Sequence, residues 1–113
     1  MFQKTRLDNG MRVVSSTVPY SRSVSVAIFI GAGSRYERQE SEAGLAHFSE
    51  HLFFKGTERR PTSKELSETI EGVGGMLNGG TDKELALYWS KVARPHFPLA
   101  LDLLVDMLLH SRF

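Results

Sequence analysis

The 113 residues contain no cysteine, which excludes a disulfide framework, a thiolate metal site and a cysteine nucleophile. A reducing compartment is compatible with that absence. An excess of charge of one sign is also missing. Fourteen Lys and Arg stand against thirteen Asp and Glu, leaving a formal net charge of +1. No whole-molecule field therefore draws in nucleic acid or anionic lipid. Nor is there a long apolar run. The most hydrophobic stretch, residues 99–109, is too short for a membrane span and carries Asp102 and Asp106 inside it. Neither nucleic acid nor a membrane is an expected partner. Lys4 and Arg6 near the N-terminus have no apolar segment behind them, unlike a secretory signal. No Arg- and Ser-rich presequence precedes the domain, so the cytoplasm is the expected compartment. What remains is a globular composition, 41% hydrophobic and 24% charged, in a chain long enough for one compact domain. Any metal site must be built from His, Asp and Glu.

Turn and periodicity signals order the chain. Asp8-Asn9-Gly10 predicts a hairpin turn between a short strand and a longer one that includes Arg12-Val13-Val14. Val24 to Ile30 is rich in β-branched and aromatic residues. It becomes apolar on both faces, which predicts an interior strand. Ser41 to Phe54 carries apolar residues at spacings of three and four, with Ser41 placed to cap the start and Gly56 to close the far end. Thr62 or Ser63 can cap a second helix, Lys64 to Glu71, with Leu66 and Ile70 on one face. Met76-Leu77-Asn78 and Glu84 to Val92 read as strands, with Gly79-Gly80-Thr81-Asp82 as their turn. Pro95 and Pro98 lead into a last helix, Leu99 to His110. Strands, two helices, a strand pair and a helix predict an α+β layer with antiparallel pairing.

The residues that carry chemistry are His47-Phe48-Ser49-Glu50-His51. At about 100° per residue, His51 lies roughly 40° from His47 and Glu50 roughly 60° to the other side, so all three emerge within an arc of about 100°. Two imidazoles at i, i+4 on a helix can hold one zinc ion, and a carboxylate beside them can act as a base. The order H-x-x-E-H is the reverse of the commoner H-E-x-x-H. With four histidines in the chain, roughly 0.01 such matches are expected by chance. The plain alternative is a histidine pair on an amphipathic helix. Two rings and a carboxylate among Leu45, Phe48, Leu52 and Phe53 are costly without something to compensate them, and a metal would do so.

The surrounding residues extend the motif. Gly44 to Thr57, reading GLAHFSEHLFFKGT, closely resembles the metal-binding helix of the pitrilysin/insulinase metallopeptidases, above all the branch that includes the mitochondrial processing peptidases. Leu7 to Val14, Gly31 to Glu37, Glu71 to Thr81 and Leu101 to Leu108 resemble the same family in order, so the likeness covers essentially the whole chain. It implies an α+β fold, an antiparallel sheet with helices on one side, and places residues 1–113 as the N-terminal part of a single peptidase domain. It implies a zinc endopeptidase acting on peptide or protein substrates, with His47 and His51 as ligands and Glu50 as general base. The family's third ligand is a glutamate in a helix well downstream, expected beyond Phe113. The chain is therefore expected to be a truncated, inactive piece, partnered by the rest of the peptidase chain or a homologous subunit. Of the glutamates present after the motif, Glu84 is the substitute to weigh. In this family an Asn-Ala pair on a sheet edge lines the substrate cleft, and the substrate adds there as a strand. Asn78-Gly79 stands at the matching place, with glycine for alanine. A plain turn asparagine is the other reading.

Weaker features resolve against function. Gly31-Ala32-Gly33 follows a strand, but the third glycine of a dinucleotide loop would fall at Tyr36. Asp102, Asp106 and His110 form an i, i+4, i+8 stripe, readable as a second metal site or as the solvent face of an apolar helix. The solvent face is the expectation. A non-catalytic alternative also stands: an interaction module that docks on a partner chain through its sheet edge and apolar C-terminal helix.

Overall fold

The computed structural model describes residues 2–38 and 41–112. Strands β1 (Phe2–Arg6) and β2 (Arg12–Ser16) form the expected hairpin, in two equal arms of five residues. Gly10 closes its turn at φ 90°, a conformation glycine adopts without steric cost. Strands β3 (Ser23–Ile30), β4 (Met76–Thr81) and β5 (Ala86–Ala93) form a separate antiparallel sheet in the order β3-β5-β4. Three helices, α1 (Leu45–Phe53), α2 (Ser63–Glu71) and α3 (Phe97–Leu109), cover one face of it. The fold is α+β with the helices on one side, as the sequence predicts.

Alternation along β5 sets the layering. Ala86, Tyr88, Ser90 and Val92 are buried beneath the helices, while Lys91 and Ala93 point out the other way. Leu66 and Ile70 of α2 meet Val92 together with Ala100, Leu103 and Met107 of α3. Leu104 of α3 packs with Ala86 and Tyr88, bordered by Val26, Ile28 and Ile30. Burying each Leu, Ile, Val or Met of this core stabilises by about 1.5–3 kcal/mol.

Four local expectations change. β3 is an edge strand among the described residues, and Phe29 on its uncovered face is 62% exposed. Its apolar run reflects one packed face plus that exposed ring. β4 continues through Gly79, Gly80 and Thr81, so the turn lies at Asp82–Leu85 instead. There the Asp82 carboxylate accepts the N–H groups of Glu84 (2.8 Å) and Leu85 (2.7 Å). This local closure outcompetes the glycine pair as a turn former. α1 starts at Leu45, capped by Gly44 at φ 82° and not by Ser41. α3 starts two residues early, with Pro98 in its first turn. α2 begins as the sequence suggests, with a reciprocal capping box between Thr62 and Glu65.

The stripe on α3 is a solvent face only in part: Asp102 and His110 are exposed, whereas Asp106 is not. Asp106 is buried and accepts hydrogen bonds from the Thr57 hydroxyl (2.7 Å) and from Arg60 (2.8 Å). Asp102, one turn earlier, is gripped by Arg59 at 2.9 Å and Arg60 at 3.3 Å. Cations fill this corner, which argues against a second metal site there. No helix among the described residues is long and apolar enough to cross a membrane.

Candidate metal centre

α1 carries an apolar side toward the sheet and a polar side outward. Phe53 meets Tyr88 edge-on, ring centroids 5.4 Å apart, and Phe54 lies 6.0 Å from the same ring. This aromatic seat fixes the roll of the helix. His47 and His51 then stand outward one turn apart, their Nε2 atoms 3.0 Å from each other. The Glu50 side chain turns inward to 12% exposure, its Oε2 4.0 Å from His51 Nε2. All three ligand atoms lie within 4.8 Å of one another, the one such group among the described residues.

Two imidazole nitrogens at 3.0 Å can share one proton or one cation, and each ring must then carry its own proton on Nδ1 when both lone pairs are given to a metal. Two nitrogens with a neighbouring carboxylate oxygen form a donor set that zinc accepts. The residues present fit that ion with two nitrogen donors and one adjacent carboxylate. Glu50 also acts on the sheet below it. Burial, and after it the Glu50 charge, pushes the Tyr88 phenol up to about 12.

The remaining site expectations are placed as follows. Asn78 and Gly79 sit on β4, whose outer edge has no strand partner among the described residues. Leu77 packs into the core and a side chain at Gly79 would strike the Phe54 ring at 3.0 Å, so these two positions face the helices. Asn78 therefore projects from the opposite face, where its Oδ1 accepts the Gly79 N–H at 2.8 Å. The glycine has a local reason: it lets Phe54 close on β4. Glu84 pairs with Arg35 and is not brought to the histidines. Glu65 serves the α2 cap and Glu68 pairs with Lys64.

Sequence reading missed Glu37. It lies just past the 3-10 turn Ser34–Tyr36, and its carboxylate accepts the N–H of Gly44 at 3.0 Å and of Ala46 at 2.7 Å. No periodic signal links it to α1, because the contact spans a loop. Tyr88 was visible only as one residue of an alternating strand.

A helix with two converging imidazoles and an adjacent carboxylate, seated on an antiparallel sheet, is a candidate metal centre, and comparison with known proteins gives the family. Residues 12–113 match the family described as Insulinase (Peptidase family M16), and the chain belongs to that family. It is 42% identical over 113 residues to an uncharacterized zinc protease of Bacillus subtilis, covering all of this chain and 27% of that protein. It is 41% identical over 109 residues to the mitochondrial-processing peptidase subunit beta of Dictyostelium discoideum, 96% of this chain and 23% of the relative. A probable mitochondrial-processing peptidase subunit beta of Arabidopsis thaliana is 44% identical over 109 residues, 96% and 20% of the two chains. The chain thus spans about a quarter of the length of these relatives.

Proposed function

We propose that this chain carries the metal-binding helix of a zinc-dependent endopeptidase that hydrolyses bonds in peptide or protein substrates. One observation carries the reading: the 3.0 Å convergence of His47 and His51 Nε2 with Glu50 beside them. His47 and His51 would hold the zinc. When bound, the ion supplies Lewis acidity toward a scissile carbonyl and toward water. Glu50 accepts the proton of the attacking water at a carboxylate oxygen and hands it to the leaving amine. Its low exposure keeps bulk water from competing for that proton. The described residues bring together two imidazoles and one carboxylate, so we assign a third ligand to another part of the full-length protein, and peptidase activity to the complete assembly.

Substrate docks along the outer edge of β4 as an added strand, offered the backbone at Asn78 and Gly79. The edge of β4 next to α1, without a strand partner among the described residues, supports this placement. Leu101, Val105 and Leu109 stay exposed on α3, and we assign that face to the rest of the peptidase or a homologous subunit.

Replacement of Glu50 by Gln in the full-length protein tests the assignment. Turnover should fall by about 10²–10⁴-fold or more, with about one zinc still bound, since both imidazoles remain. His47→Ala should lose zinc and activity together. Undiminished turnover in Glu50→Gln would overturn the role of Glu50.

A further inference from the structure

α1 has a weak point where the chemistry can least tolerate one. It has only nine residues, and His47 is the third of them. The first turn of a helix leaves its N–H groups without intrahelical partners and frays unless a side chain takes them. Gly44, at the capping position, has no side chain to offer, and no cap from within the helix is made. One of the two histidines therefore stands on the least constrained turn of the helix, while Glu50 and His51 follow one turn later.

Glu37 closes that turn from outside. Its Oε1 takes the Gly44 N–H at 3.0 Å and its Oε2 the Ala46 N–H at 2.7 Å, one residue before His47. A carboxylate is favoured here by the positive end of the helix dipole. The carboxylate is itself anchored. Ser34 N–H donates to the Asp82 carbonyl at 3.0 Å and Arg35 N–H to the Lys83 carbonyl at 2.7 Å, which stitches residues 34–35 to the β4–β5 turn. Gly33 makes this approach feasible, because a Cβ there would lie 2.6 Å from Glu84 N. The side chain of Asp82 in turn holds its own loop closed. A continuous hydrogen-bonded path thus leads from the sheet through Glu37 to the turn that bears His47.

We propose that Glu37 is a positioning residue of the metal centre, fixing His47 relative to Glu50 and His51 by capping α1 from a neighbouring loop. This deepens the zinc reading above and rests on it. Glu37 touches neither metal nor substrate in this role. Outer-shell partners of metal ligands commonly change affinity by about 10–100-fold when removed.

The test compares wild type, Glu37→Ala, Glu37→Gln and Glu84→Ala in the full-length protein. Zinc affinity is measured against a competing chelator, and ligand geometry by the visible spectrum of the cobalt(II)-loaded forms. Glu37→Ala should bind zinc about tenfold or more weakly and shift the cobalt bands. Glu37→Gln, which keeps an acceptor oxygen, should recover part of both. Glu84→Ala, which breaks an exposed pair in the same junction, should match wild type. Amide hydrogen exchange at Ala46 and His47 without metal should speed up in both Glu37 variants. Unchanged zinc affinity and cobalt spectrum in folded Glu37→Gln and Glu37→Ala would overturn the proposal. If Glu37→Ala does not fold, Glu37→Gln decides by the same readouts. A wild type that binds no zinc would sink the metal reading itself, and the exchange measurement would still report whether Glu37 caps the helix.

Discussion

Asp106 is a carboxylate that the fold has withdrawn from water. Thr57 and Arg60 satisfy Oδ2, whereas Oδ1 is buried without a hydrogen-bond partner among the described residues. A buried charge stripped of its counterion is far more costly than an exposed pair is valuable. Arg60→Ala is therefore expected to destabilise by about 3–5 kcal/mol. Arg59→Ala removes only an exposed contact to Asp102 and should cost much less. Urea unfolding midpoints of the two variants check the contrast, and equal effects would contradict it. The consequence reaches α1, because Thr57 and Gly56 form its exit. Thr57 bridges to Ser111 after α3, and Arg112 N–H donates to the Gly56 carbonyl at 2.9 Å. The helix that carries the candidate metal centre is thus tied down past both ends, by Glu37 before it and by the Asp106 cluster after it.

At the scale of elements, the junction between β3 and α1 depends on close backbone approach. Gly33 lies against the backbone of residues 82–84, while Gly31, two residues earlier, faces open space. Gly33→Ala should force the loop off the β4–β5 turn and cost about 1–3 kcal/mol, in the range of other overpacking changes. Gly31→Ala should be nearly neutral. Thermal melts of the two proteins separate these outcomes, and the Gly33 variant should also weaken zinc binding by loosening Glu37. Parallel reasoning explains Gly79. Its missing side chain is the space that Phe54 occupies as α1 ends, so α1 and β4 pack closely where the proposed substrate edge begins.

Across the whole molecule, stability is expected to show an acid limb and an alkaline limb with different owners. Arg59, and after it Arg60, holds the Asp102 carboxyl below its ordinary value of 3.8. Backbone N–H groups of Leu85 and Glu84 do the same for Asp82. Depressed folded values mean stability that is present above the ordinary carboxylate range and is lost as pH falls through the folded values. Tyr88 runs the other way. Its phenol ionises at about 12 in the fold against 10.0 ordinarily, so the unfolded chain sheds that proton first. Its contribution is complete below pH 10 and is lost between about 10 and 12. Urea midpoints should fall from pH 9 to pH 11, and Tyr88→Phe should flatten that decline. An unchanged slope would assign the alkaline limb to other groups.

The sequence by itself determined what depends on local spacing. Positions i, i+3 and i+4 share a helix face whatever surrounds them, so His47, Glu50 and His51 were legible as one cluster. The caps of α2, the hairpin at Asn9-Gly10 and the buried face of β5 were legible for the same reason. Only the tertiary structure decided the rest. Asp106 looked like a solvent position because its partners, Thr57 and Arg60, are 49 and 46 residues away. Glu37 had no periodic relation to the helix it caps. Gly79, Gly80 and Thr81 read as turn residues, although the strand that carries Asn78 runs on to Thr81. Each of these outcomes rests on contacts between distant segments, whose free energies outweigh the weak local preferences that a sequence displays.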